Sequence, residues 1–243
     1  MTTSIRNLEQ ILVAGEKAPG PDWQVRAIQS EQCLSFVAWN VSRREAIIVD
    51  PKTEDWSAYR QIAQELPDFL WLGIIDTHTH ADHVSCGAGL AGELRAPYIM
   101  HSRSPSERVH FKISRAAALP AHSAPLEFLP TPGHTNDSMT VLWGPFLFGG
   151  DTILLGDTGR DDLPTGSPED HFESVQLVKS RARPDHIVLP GHDHLGGRAT
   201  SWATQLRDNP SLTQNREEFI QEAAEFDAPA PALLKKSLRE NLK

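Results

Sequence analysis

The segment Thr77-His78-Thr79-His80-Ala81-Asp82-His83 packs His78, His80, Asp82 and His83 into six residues, directly behind the apolar run LWLGIID. A lone histidine is more often a satisfied structural residue than a ligand. So dense a set does not belong in a core, and the H-x-H-x-D-H pattern reads as metal binding, because imidazole is the commonest protein metal ligand. Closing a metal's coordination shell needs partners from elsewhere in the chain. Three more loops offer them: His134 in TPGH, Asp151 in FGGD and His192 in LPGHDH. Of the eleven histidines, His78, His80, His83, His134, His192 and His194 fall in short loops just after predicted strands. A strand end is where a rigid sheet can aim several loop side chains at one point.

The elements that must do this aiming are legible as short apolar runs alternating with helical patterns. CLSFVAWN and EAIIVD read as strands joined by the turn-like VSRR, and LWLGIID as a buried strand. Between them TEDWSAYRQIAQEL has apolar residues at helical intervals, with Thr53 as N-cap and Pro67 closing it. Further strands are expected at APYIM, LEFLPT, SMTVLW, PFLFGG and HIVLP, and a helix behind a Ser cap at SPEDHFESVQLVKSRA. The last forty or so residues read as helices followed by an irregular, Pro-containing tail, FDAPAPALLKK. No repeat, low-complexity tract or Gly/Ser linker interrupts the chain, so one α/β domain over residues 1–243 with a short C-terminal helical extension is expected.

With 243 residues, 39% hydrophobic and 23% charged, the chain has the profile of an ordinary globular protein. A net charge of −9 argues against tracking phosphates, which needs clustered Lys and Arg, so nucleic acid is not an expected partner. The N-terminal MTTSIRNLEQILVAGEKAPG lacks an apolar signal core, and no run approaches the roughly 18 apolar residues of a membrane span, so no membrane partner and a cytoplasmic location are expected. Cys33, in an apolar strand, and Cys86, in a loop, read as free thiols that act as small buried apolar residues.

Together the loops THTHADH, TPGH, FGGD and LPGHDH resemble the metallo-β-lactamase superfamily over roughly Cys33 to Phe219. The resemblance implies a four-layer αβ/βα sandwich with metal at the edge between two sheets, but not by itself a reaction. Three stretches are most similar to its ETHE-type persulfide dioxygenase branch: SRREAIIVDP, GDTGRDD with Gly159, Arg160 and Asp162, and TSWATQLRDNPSLTQNREEF. Too few residues follow His192 for the longer helical glutathione-binding domain of glyoxalase II-type hydrolases.

That branch implies one Fe(II) per chain, bound by His78, His134 and Asp151, and a reaction of a low-molecular-weight persulfide of the glutathione class with O₂ to give sulfite and a thiol. Two imidazoles and one carboxylate on one face are also what leaves iron(II) with open positions. His80, Asp82, His83 and His192 then orient the ligands or hold a second metal. In the latter case two Zn(II) ions serve a thioester hydrolase of the glyoxalase II type. Arg160 and His194 are candidate substrate contacts: Arg160 as a bidentate clamp on a carboxylate, or in a structural ion pair with Asp162. The chain departs from the branch where Thr158 replaces a cysteine, His194 a tyrosine and Ser211 an arginine. Related enzymes often form dimers, so a homodimer is a further expectation.

Overall fold

Two mixed β-sheets stack face to face, and helices cover the outer face of each. The computed structural model describes residues 3–193, 198–226, 229 and 231–242. The first sheet runs, in spatial and chain order, β1 (Ser4–Asn7), β2 (Trp23–Ser30), β3 (Cys33–Asn40), β4 (Glu45–Val49), β5 (Leu70–Ile75), β6 (Tyr98–His101) and β7 (Phe111–Ile113). The second carries β8 (Ala117–Leu119), β9 (Leu126–Pro130), β10 (Met139–Trp143), β11 (Phe146–Gly150), β12 (Ile187–Pro190) and β13 (Thr200–Ser201), with β8 and β13 at its edges.

Strand side chains alternate between faces, and both faces of the central strands are apolar. Thus Leu34, Phe36 and Ala38 of β3, Ile47 and Val49 of β4, Val141 and Trp143 of β10, and Phe146 and Phe148 of β11 meet in the core between the sheets. The alternate residues Val37, Ala46 and Ile48 face α2 (Trp56–Glu65) and α3 (Gly87–Leu94), through Tyr59, Ile62 and Leu90. On the other side Leu142, Leu147 and Val188 pack on α4 (Pro168–Arg181), and Trp202 of α5 (Trp202–Asp208) and Phe219 of α6 (Arg216–Glu225) complete that layer. These are the four layers expected. A short α1 (Leu8–Ile11) precedes β2, and α7 (Leu234–Asn241) ends the described chain.

Strands β4, β5 and β6 run parallel, as do β11 and β12, so their C-terminal ends open on one edge of the sandwich. The amide of Met139 donates to the Thr77 carbonyl at 2.7 Å, tying the start of β10 to the loop after β5 and joining the two sheets at that edge.

Two local expectations are corrected. Thr53 opens only a 3₁₀ turn, Thr53–Asp55, and α2 begins at Trp56 without a side-chain cap on Asp55. The Asp55 carboxylate is occupied elsewhere, by buried Lys52 at 3.2 Å, Ser30 at 3.0 Å and Thr3 at 2.5 Å. The tail is also more regular than its prolines imply: beyond Pro231, whose carbonyl accepts from the Leu234 amide, α7 forms over a stretch free of Pro and Gly. No described helix is long and apolar enough to cross a membrane.

Candidate metal centre

Every loop expected to carry a ligand leaves the same edge of the sandwich. Asp50 follows β4, the segment from Asp76 to His83 follows β5, His134 follows β9, Asp151 follows β11 and His192 follows β12. The chain turns sharply at two of these exits. Asp50 itself adopts φ +53°, and its carboxylate accepts from the Thr77 amide at 2.6 Å and the Thr77 hydroxyl at 2.9 Å. Gly150 adopts φ +51°, and a Cβ there would sit 2.5 Å from Thr77 Oγ1, so only glycine lets Asp151 approach His78 this closely.

His78, His134 and Asp151, all buried, each offer one ligand atom, and the three atoms lie within 4.8 Å of one another. The imidazole rings of His78 and His134 stand edge to face at 4.8 Å, and His134 Nε2 is 3.5 Å from Asp151 Oδ2. Their tautomers follow from their neighbours. His134 Nδ1 lies 2.6 Å from the Arg160 carbonyl, which can only accept, so Nδ1 carries the proton and Nε2 keeps its lone pair. The Thr77 hydroxyl, whose hydrogen goes to Asp50, accepts from His78 Nδ1 at 3.0 Å, which again leaves Nε2 as a ligand atom. This is how proteins fix metal-binding histidines.

A second group adjoins the first. His192 bridges two carboxylates, with Nδ1 2.8 Å from Asp151 Oδ1 and Nε2 3.3 Å from Asp82 Oδ2. Asp82 Oδ2 also lies 3.0 Å from His83 Nδ1 and 2.9 Å from Cys33 Sγ, and Cys33, Asp82 and His83 form another set of potential ligand atoms within 4.8 Å. Cys33 is thus not an inert core residue: the backbone bridge between Cys33 and His192 brings its thiol to the site. Deeper in, His80 Nε2 is 3.2 Å from Asp50 Oδ1, and Tyr98 donates to Asp76 Oδ2 at 2.5 Å.

The electrostatics are those of a place prepared for a cation. Burial raises the Asp151 carboxyl, but His192, His134 and His78 outweigh it and hold the group far below the usual carboxylate range. Asp82 is lowered in the same way, burial being overcome by His83 and His192. In return Asp82 lifts His83 to about 10 against its burial, and Asp151 lifts His192 well above its usual value. Burial, then His80 and His134, drop His78 to about 3, which makes it a neutral imidazole ready to coordinate. Burial and His83 likewise lower His80. Two buried nitrogens, His80 Nδ1 and His83 Nε2, have no hydrogen-bond partner among the described residues, and neither does Asp76 Oδ1. Unpartnered buried ligand atoms among carboxylates fit a bound metal ion.

A cleft of about 650 Å³ opens over Asp151, His134, Asp82 and His192, walled by Leu154, Leu155, Leu163 and Phe226. Arg160 lies on its rim and forms the ion pair with Asp162, two parallel contacts of 2.7 Å, while Nη1 donates to the Pro229 carbonyl at 2.8 Å. Ser211 is buried beneath the rim and donates to Asp157 at 3.0 Å. His194 lies outside the described residues. Sequence reasoning overlooked Asp50 and Asp76, although both end a predicted strand at this edge. It also overlooked Asp137, which accepts from the Thr79 amide at 3.1 Å and the Thr135 hydroxyl at 2.7 Å and so couples two of the loops.

Comparison with known proteins agrees with this geometry. The chain is 27% identical over 212 residues to the human (Homo sapiens) protein named persulfide dioxygenase ETHE1, mitochondrial, the match covering 86% of this chain and 83% of that one. The crystal structure of ETHE1 from Myxococcus xanthus superposes with a TM-score of 0.82 at 27% identity, covering 90% of this chain and 97% of that one. A probable polyketide biosynthesis zinc-dependent hydrolase, PksB of Bacillus subtilis, is 30% identical over 163 residues, 65% of this chain and 71% of that one. The family profile described as metallo-beta-lactamase superfamily matches residues 31–192, and the chain belongs to that superfamily.

Proposed function

We propose that this protein is a mononuclear non-haem iron dioxygenase that oxidises a low-molecular-weight persulfide: RSSH + O₂ + H₂O → RSH + SO₃²⁻ + 2H⁺. The observation that carries the reading is the set His78, His134 and Asp151 at the foot of an open cleft, in a chain similar to persulfide dioxygenases over most of its length. Fe(II) held by these two imidazoles and one carboxylate would supply the chemistry that brings a persulfide sulfur and O₂ together.

The remaining residues have roles that follow from their contacts. Thr77 and the Arg160 carbonyl keep His78 and His134 in the coordinating tautomer. The apolar wall of Leu154, Leu155 and Leu163 limits water around the reacting sulfur. His192, between Asp151 and Asp82, orients both carboxylates through its two ring nitrogens. Glutathione persulfide is the substrate class favoured, with Arg160 and His194 as candidate contacts for its carboxylates.

One observation favours a second reading. Asp82, His83 and His192 stand beside Asp151, and a dinuclear zinc hydrolase needs such a neighbouring set. Elemental analysis of protein purified anaerobically, combined with oxygen uptake on glutathione persulfide and turnover of S-lactoylglutathione, separates the two. About one iron per chain with persulfide-dependent oxygen uptake is expected. Two zinc ions per chain with fast, O₂-independent thioester turnover would replace the dioxygenase by the hydrolase.

A further inference from the structure

The loop that carries His80, Asp82 and His83 has no helix or sheet of its own between β5 and α3. Asp137 holds its start at the Thr79 amide and the Pro51–Thr53 segment its end at Val84 and Cys86, and its middle is tied to one side chain from the far end of the chain. Asn241 Nδ2 donates to the carbonyls of His80, at 3.0 Å, and His83, at 2.9 Å, and Asn241 Oδ1 accepts from the Ser85 amide at 2.8 Å. A carboxamide is suited to this: it has two donor hydrogens on one atom and an acceptor on the other, so one residue satisfies two carbonyls and one amide across the loop.

α7 spans eight residues, LKKSLREN, with only Ser237 fully buried. An isolated helix of that length is not stable in water, so contacts with the rest of the chain order it. The chain just before α7 also supports the cleft. The Phe226 ring lies 5.2 Å from the Arg160 guanidinium, and the Pro229 carbonyl accepts from Arg160. One C-terminal stretch therefore touches both the rim of the cleft and the loop at its floor.

We infer that Asn241 is a positioning residue for the candidate metal centre, its carboxamide setting the backbone from which His80, Asp82 and His83 project. The inference rests on the reading of this loop as metal-binding. Asn241 touches neither substrate nor metal; it acts through the loop. Groups that orient a metal site from outside its ligands typically change its affinity by about 10–100-fold when lost, and an effect of that size, too small to empty the site at saturating metal, is expected here.

The test compares Asn241→Ala, Asn241→Asp and, as a control for loss of a half-buried side chain elsewhere on α7, Leu238→Ala. Asn241→Asp retains the acceptor for Ser85 but cannot donate to either carbonyl. Amide exchange of the metal-free proteins is measured first, then titration with Fe(II) under anaerobic conditions and with Zn(II). Asn241→Ala should lose protection at Ser85 by about tenfold or more, and both Asn241 variants should bind metal about 10–100-fold more weakly, with Leu238→Ala close to wild type in both measurements. Unchanged exchange and affinity in both Asn241 variants, or an equal loss in Leu238→Ala, would overturn the inference. A wild type that binds neither metal would instead overturn the proposed function, and Ser85 exchange would still decide whether Asn241 holds the loop.

Discussion

The thiol of Cys33 donates a hydrogen bond to Asp82 Oδ2 across 2.9 Å, although the two residues are 49 positions apart. Cys33 starts β3, which runs antiparallel to β4, so its N-terminal end meets the C-terminal ends that carry the site. The other cysteine, Cys86, is buried, and burial together with Asp76 pushes its thiol far above the usual thiol range. A thiol reagent applied to the folded, metal-free protein should therefore label Cys33 and spare Cys86, as read by mass spectrometry of the labelled peptides. Cys33→Ala should keep its iron, because Asp82 retains His83 and His192. Equal labelling of both cysteines, or loss of metal with Cys33, would show that the thiol has a different role.

Asp151 and Asp82 provide the sharpest separation of one metal from two. Asp151→Asn should lose both iron and activity, since its carboxylate faces His134 and His192 at once. Asp82→Asn should keep most of the iron, because its contacts are His83, His192 and Cys33 rather than the triad. Metal content by mass spectrometry of the purified variants decides between them. Equal loss in both would make Asp82 a ligand and favour the dinuclear hydrolase.

Away from the site, His186 should set part of the acid limit of stability. Burial and then Arg183 lower it to about 4. Its Nδ1 accepts from the Arg183 amide at 3.0 Å, a bond that protonation at Nδ1 would destroy. The folded value lies below the unfolded value of about 6.5, so between the two the unfolded chain binds the extra proton. The contribution is fully present above about pH 6.5 and is lost as the pH falls towards about 4. Thermal melts over that range should show a steeper loss in the wild type than in His186→Asn, and parallel curves would refute the assignment.

The parts of this molecule visible in its sequence are those with local causes. Apolar runs such as CLSFVAWN and PFLFGG correspond to β3 and β11, and Ser167 does cap α4, accepting from the Asp170 amide. Densely spaced ligands announced the site. What stayed hidden depends on contacts distant in sequence. α3, GAGLAGEL, carries three glycines in eight residues, which weakens its helical signal, yet a Cβ on Gly89 would collide with the Trp56 ring, so that glycine serves packing. Cys33 looked like any strand residue until the register with His192 was known. Asn241, a single asparagine in a polar run, carries no pattern at all; only the folded chain brings it to His80 and His83.

Substrate choice is the final expectation, and it depends on Arg160. Its guanidinium fork is engaged by Asp162, so a substrate carboxylate must share or displace that partner. Asp162→Asn should therefore lower KM for glutathione persulfide, while Arg160→Lys, which keeps the charge but loses the fork, should raise it with a smaller effect on kcat. Ser211 adds to the argument: it is a buried hydroxyl donating to Asp157 and supplies no positive charge to the neighbouring wall. Without that charge-assisted contact, worth about 1.5–3 kcal/mol, the preference for glutathione over smaller or differently shaped thiol carriers should fall by roughly tenfold or more. Comparing kcat/KM for glutathione, cysteine and coenzyme A persulfides across the wild type and both variants measures each effect. If Arg160→Lys lowers only the melting temperature and leaves KM unchanged for every persulfide, the pair with Asp162 is purely structural and substrate is held elsewhere in the cleft.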